Sequence, residues 1–176
     1  IRYCLLSRGL GDVYKRQSMY TLADILNDKC ETLDIRGVAH KGFFASITDF
    51  PSYYAANMAL LNYKSAQELF HDNWPIYTRT NDSCPTQYFN TADVKNSVIS
   101  NGCQIEGTVE NSVIGRGCVI KKGAVVRNSV VLAEVTVGEG VHVENEVVDK
   151  WANLIHKKEI VSPAEQPGYI RRNDTL

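Results

Sequence analysis

The side chains best equipped for chemistry are thinly spread along this chain. Its four histidines, His40, His71, His142 and His156, stand apart, and no two share a metal-ligand spacing such as HxxxH. There is no GxSxG elbow and no phosphate-gripping P-loop. Gly9-Leu-Gly11 imitates a nucleotide loop but lacks the preceding strand and following helix that would aim backbone N–H groups at a phosphate. His142 is the sharpest single candidate for a general base, because an imidazole can take up a proton near neutral pH. Lying between Val141 and Val143, however, it takes the outward parity of a strand, where a solvated side chain is the plainer reading. Arg116, Lys121, Lys122 and Arg127 recur on successive repeats and offer positive charge to a phosphate-like anion, or simply a solvated face.

The five cysteines, Cys4, Cys30, Cys84, Cys103 and Cys118, are odd in number and lack CxxC spacing, which suits a reduced, cytoplasmic protein. Cys103 and Cys118 occupy equivalent places in adjacent repeats, so a disulfide between them is conceivable. The favoured reading is a small inward-facing site filled by free thiols, as Ala124 fills a similar one.

What would position any of these groups is a repeat. Val94-Lys-Asn-Ser-Val-Ile, Val109-Glu-Asn-Ser-Val-Ile, Val126-Arg-Asn-Ser-Val-Val and Val143-Glu-Asn-Glu-Val-Val begin 15, 17 and 17 residues apart. Such self-similarity predicts a solenoid, a three-sided prism of short parallel strands that stack coil on coil at about 4.8 Å. One column of inward aliphatics comprises Val94, Val109, Val126 and Val143, a second Ile99, Ile114, Val131 and Val148, and a third Ile105, Ile120 and Val137. Asn96, Asn111, Asn128 and Asn145 would hold one corner, since asparagine tolerates left-handed backbone angles and stacked amides can hydrogen-bond as a ladder. Roughly three and a half coils are expected, with Trp151 plugging the open end.

Upstream the pattern changes. Residues 1–17 have no amphipathic period and are too briefly apolar for a signal peptide; they resemble translated adapter read-through and are expected to be non-native. Residues 18–80 read as a small α/β region. It should hold a short amphipathic helix up to Leu33, a strand over Ile35–His40, and a helix opened by Asp49 and Pro51 with Phe50, Tyr54, Met58 and Leu61 on one face. A second helical piece is expected from Ser65 to His71, and an extended segment over Trp74–Arg79. The β-helix should span 81–160, and 161–176 should form a polar tail, extended or disordered.

The 176 residues carry a formal net charge of -1 with no basic run, which argues against a nucleic-acid or anionic-membrane partner. No stretch approaches the ~18 apolar residues of a membrane span.

From about Ser18 to Ile170 the chain resembles the C-terminal half of bacterial glucose-1-phosphate adenylyltransferase (ADP-glucose pyrophosphorylase). That family joins a nucleotidyltransferase domain to a left-handed parallel β-helix of hexapeptide-repeat type. The resemblance rests on the repeated Asn-Ser-Val-Ile, on Val147-Val-Asp-Lys150, and most specifically on Gly42 to Leu60. Catalytic members read Gly-Tyr-Trp-x-Asp-Val-Gly-Thr there, followed by a helix with Tyr-x-x-Ala-Asn. Gly42, Tyr53, Ala56 and Asn57 match, but Ser46 stands where the family's metal-binding aspartate falls. The family's reaction joins glucose 1-phosphate to the α-phosphate of ATP with Mg²⁺ held by carboxylates, so a serine there implies a poor catalyst.

The pattern is similar to the GlgD-type subunit, which implies a non-catalytic regulatory or assembly role in glycogen synthesis. It also implies a hetero-oligomer with a catalytic subunit that itself uses ATP and Mg²⁺, and no cofactor bound by this fragment. A competing resemblance is to hexapeptide-repeat acyltransferases, which use acyl-CoA and a histidine between subunits; His142 would then be the base. The helical Gly42–Leu60 segment has no part in that reading.

Overall fold

The computed structural model describes residues 21–70, 75–77 and 82–176. The chain forms two compact units, 1–41 and 42–176. In the first, helix α1 (Leu22–Lys29) is opened by a capping box, with the Asp24 N–H donating to Thr21 Oγ1 and the Thr21 N–H to Asp24 Oδ2. The strand expected over Ile35–His40 is absent: the segment has no regular structure, and Val38 is 92% exposed. Strand-prone residues need a neighbouring strand to satisfy their backbone groups, and among the described residues no strand forms a ladder with this segment.

The second unit starts with helix α2 (Phe50–Ala59), closed at its N-terminus by a reciprocal cap. The Ser52 N–H donates to Asp49 Oδ1 at 2.8 Å and the Asp49 N–H to Ser52 Oγ at 3.0 Å, while Pro51 sits where a missing N–H costs nothing. Helix α3 (Tyr63–Leu69) begins earlier than Ser65 because the Asn62 side chain accepts the Lys64 N–H and caps it there. His71, Trp74 and Thr78–Arg79 lie outside the described residues, and Pro75–Tyr77 has no regular structure.

Strands then follow in short steps. They are β1 (Gln87–Tyr88), β2 (Asp93–Lys95), β3 (Val98–Ile99), β4 (Gln104–Ile105) and β5 (Thr108–Glu110). Next come β6 (Val113–Ile114), β7 (Val119–Ile120), β8 (Val125–Arg127), β9 (Val130–Val131) and β10 (Thr136–Val137). The last are β11 (His142–Glu144), β12 (Glu146–Val148), β13 (Asn153–Leu154), β14 (Glu159–Val161) and β15 (Gly168–Ile170). Every third strand pairs in parallel, giving three five-stranded sheets: β1-β4-β7-β10-β13, β2-β5-β8-β11-β14 and β3-β6-β9-β12-β15. The fold is a parallel β-helix of hexapeptide-repeat type, longer than the three and a half coils read from the motif. β1 precedes the first Val-x-Asn-x-Val, and β13 to β15 follow the last, so those coils do not announce themselves.

The columns form as the repeat requires. Val94, Val109, Val126, Val143 and Ile160 are in register, as are Ile99, Ile114, Val131, Val148 and Ile170, and Ile105, Ile120, Val137 and Leu154. From Val109 to Leu154 these column residues are almost wholly buried. Each coil alone could bury nothing; stacking supplies the core. Cys103, Cys118 and Ala124 fill small inward sites, and both thiols are free.

Two expectations fail at the far end. Trp151 does not plug the prism: it is 43% exposed and follows Gly102, Gly117 and Glu134 in a corner column with left-handed backbone (φ 60° at Trp151), so its side chain leaves the core. Its indole lies beneath the Arg172 guanidinium, 4.0 Å from the ring centroid. The polar segment expected as a tail, 161–176, instead supplies β15 on β12, and Thr175 bridges in parallel to Asn153. Its composition misleads because Ile170 returns to the column only after a six-residue corner, 162–167, has interrupted the repeat.

Candidate functional site

The feature that joins the helical segment to the repeat is the Asn corner between the second and third sheets. Asn96, Asn111, Asn128 and Asn145 have φ of 42°, 46°, 44° and 55°. This is the left-handed region that asparagine enters more cheaply than other side-chain-bearing residues. Asn96 Nδ2 donates to Asn111 Oδ1 at 2.7 Å, a rung of the expected ladder, and Asn145 Nδ2 donates to the Ser162 carbonyl at 2.8 Å. Immediately inside runs a second ladder of hydroxyls. Ser97 Oγ accepts the Ser112 N–H, Ser112 Oγ the Ser129 N–H, and Ser129 Oγ the Glu146 N–H.

Helix α2 lies against this corner. Tyr54 Oη donates to the Asn128 carbonyl at 2.6 Å, and Phe50 meets Tyr169 of β15 edge to face, with ring centroids 5.8 Å apart. The Phe50, Tyr54, Met58, Leu61 stripe read from the sequence is thus the face applied to the prism. Between them runs a groove of about 630 Å³ with Tyr54, Met58 and Leu61 on one wall, the four asparagines on the other, and Ala164 beside them. Burial pushes the Tyr54 pKa upward, which keeps its hydroxyl a donor. The lining offers amides, one phenol and apolar surface. Such a set can hold a segment in place, but it contains no acid–base pair with which to move a proton.

The residues matched to the adenylyltransferase pattern lie on this helical segment. Asn57 Nδ2 donates to the Tyr53 carbonyl one turn earlier, so both belong to one local contact within α2. Gly42, at φ 124°, and Ser46 are exposed in the irregular chain ahead of the helix. The four basic residues are not brought together. Arg116 belongs to the corner between the third and first sheets, Lys121 and Lys122 to the next corner, and Arg127 to the outer face of the second sheet. There Arg127 Nε meets Glu110 Oε2 at 2.9 Å, and Lys95 Nζ meets Asp93 Oδ2 at 2.8 Å. His142 occupies the same outer face, with Nε2 3.3 Å from Glu144 Oε2 though not aligned for a hydrogen bond.

What the sequence did not announce is the role of Asn128 and Tyr169 as the anchors of α2. Their signal is confined to aromatic residues on the helix that would need partners.

Residues 85–166 match the family described as GlmU-like, C-terminal hexapeptide. The chain is 31% identical to the glycogen biosynthesis protein GlgD of Bacillus subtilis over 86% of its own length and 44% of that protein. It is 37% identical to the GlgD of Geobacillus stearothermophilus, covering 64% of this chain and 33% of that one. It is also 37% identical to the glucose-1-phosphate adenylyltransferase of Fervidobacterium nodosum, covering 61% and 26%. The chain therefore spans less than half the length of these relatives.

Proposed function

This chain is a homologue of the GlgD and glucose-1-phosphate adenylyltransferase proteins, and on that premise we propose that it serves glycogen biosynthesis as a regulatory or assembly subunit beside a catalytic pyrophosphorylase subunit. Ser46 carries the reading. By the resemblance it stands at the place of the family's metal-binding carboxylate; it is exposed in irregular chain, and a neutral hydroxyl brings no negative charge to hold Mg²⁺ beside the phosphates. Among the described residues no three His, Cys, Asp or Glu side chains converge on a possible ion. On this reading a serine at that place is a poor ligand for Mg²⁺, and no step of the reaction is routed through it.

What this chain's residues do instead is hold. The Asp49–Ser52 cap starts α2 at a defined point, and the Tyr54–Asn128 hydrogen bond and the Phe50–Tyr169 contact fix the helix on a prism whose rigidity comes from its columns. A repeat scaffold with exposed sheet faces and two ends suits subunit assembly better than turnover. Among the described residues no helix is long and apolar enough to cross a membrane, and soluble sugar phosphates as the pathway's currency point to a cytoplasmic setting.

The test is co-purification of this chain with the catalytic pyrophosphorylase subunit of its own organism, followed by assay of ADP-glucose formation with and without it. Binding, an altered partner rate and no activity alone are expected. ADP-glucose formation by this chain alone, or failure to bind the partner, would overturn the proposal. Failure accompanied by acetyl-CoA binding that is lost in His142→Ala would favour the acyltransferase reading.

A further inference from the structure

The hydroxyl ladder ends on a carboxyl. In three successive coils the residue after the corner asparagine is a serine, Ser97, Ser112 and Ser129, and each hydroxyl also donates two residues back, to the carbonyls of Lys95, Glu110 and Arg127. In the fourth coil the equivalent residue is Glu146, which is only 4% exposed. Its Oε1 accepts from Ser162 Oγ at 2.5 Å, and Ser162 opens the six-residue corner that replaces the usual short one. Gly168, in register with Glu146, lies directly over it. A Cβ on Gly168 would run into the Glu146 carboxyl oxygens and Ser162 Oγ, so a larger residue there would have to displace this pair.

We propose that Glu146 is a protonation-dependent latch for the C-terminal strap, residues 162–176, which closes over the neutral carboxyl and loosens when that carboxyl ionises. An ionised carboxylate offers about four acceptor positions, and here a single hydroxyl serves them. The residue is only 4% exposed, so ionising it costs hydration that one hydroxyl does not replace, and a proton relieves that cost. Ser129 Oγ, from the coil below, is engaged by the Glu146 N–H; Gly168 of β15 contributes backbone; Ser162 donates its hydroxyl; Lys157, from the β13–β14 connection, is the charge that acts on it. Burial raises the Glu146 pKa, and outweighs the opposing pull of Ser162 and Lys157.

The sign follows. With the folded pKa above the unfolded one, this site's contribution is fully present below the unfolded pKa and is lost as pH rises through the folded value. The strap carries Tyr169 against Phe50 and Ala164 beside the groove, so the latch also controls how firmly α2 is held.

Hydrogen exchange by mass spectrometry on the full chain between about pH 5 and 8, corrected for intrinsic exchange rates, tests this. Protection of 162–170 should fall several-fold relative to 119–137 as pH rises. In Glu146→Gln that fall should vanish while protection stays high, and Glu146→Ser, which restores the residue of the other coils, should behave alike. Strap protection that is independent of pH in the wild type, or that falls equally in both variants, would overturn the proposal.

Discussion

Tyr54 and the two inward cysteines show how a single side chain's surroundings decide its part. Tyr54 reaches from α2 to a carbonyl 74 residues away, and its hydroxyl is the hydrogen bond that pins helix to prism. Tyr54→Phe should cost about 0.5–1.5 kcal/mol, the usual worth of one such bond, read as increased exchange in 50–61 with little change in the columns. Cys103 and Cys118 set reactivity against access. Each thiol donates to a carbonyl, Cys103 to Gly115 and Cys118 to Leu132, and the interaction between the two buried sulfurs lowers the Cys103 pKa while raising that of Cys118. A low pKa favours attack, but neither residue has any exposed surface. Access wins: native alkylation with iodoacetamide should label exposed Cys30 and Cys84 and spare Cys103 and Cys118 until the chain unfolds, as peptide mass mapping would show.

An element here draws its stability from its neighbours more than from itself. The strands are two or three residues long and would not persist alone. Ile120 lies in the middle of a five-membered face with a coil above and below. Ile120→Ala should therefore cost about 2–5 kcal/mol in chemical denaturation. Val98, 46% exposed in the terminal strand β3, should cost within about 0.5 kcal/mol when cut to alanine. Equal losses at the two sites would contradict a core built by stacking. Helix α2 answers to its cap in a different way. Hydrogen bonds from Ser52 lower the Asp49 pKa. The cap is therefore intact above the unfolded aspartate's pKa and lost as pH falls through the folded one. The amides of Ser52 and Tyr53 should lose protection in acid ahead of the columns, and Asp49→Asn should remove that dependence.

For the whole molecule, the decisive question is what covers the ends of the prism. Residues 162–176 cover β12 with β15 and bring Leu176 against the core beside Asn153. Deleting them would bare β12's edge and the Val148 column. Such an edge invites pairing with another chain. The deletion should increase apparent mass in size-exclusion chromatography with light scattering, whereas Glu146→Gln should leave it unchanged.

The amino-acid sequence by itself determined the period, the inward columns and the Asn corner. It could do so because these depend on local requirements: an aliphatic side chain wherever a strand faces in, and a left-handed angle wherever the chain turns. The cap at Asp49 was open to the same reasoning, whereas the one at Thr21 came to light only in the structure. Tertiary structure alone decided the rest. Trp151 sits outside the core because it falls in the column of Gly117 and Glu134, a registration set by the stacking of whole coils. Ile170 rejoins its column because the lengthened six-residue corner 162–167 loops out, and Arg116, Lys121, Lys122 and Arg127 part company because closeness along the chain is not closeness around a prism. The groove beneath α2 and the buried carboxyl under Gly168 arise from contacts between distant segments, which no local pattern encodes.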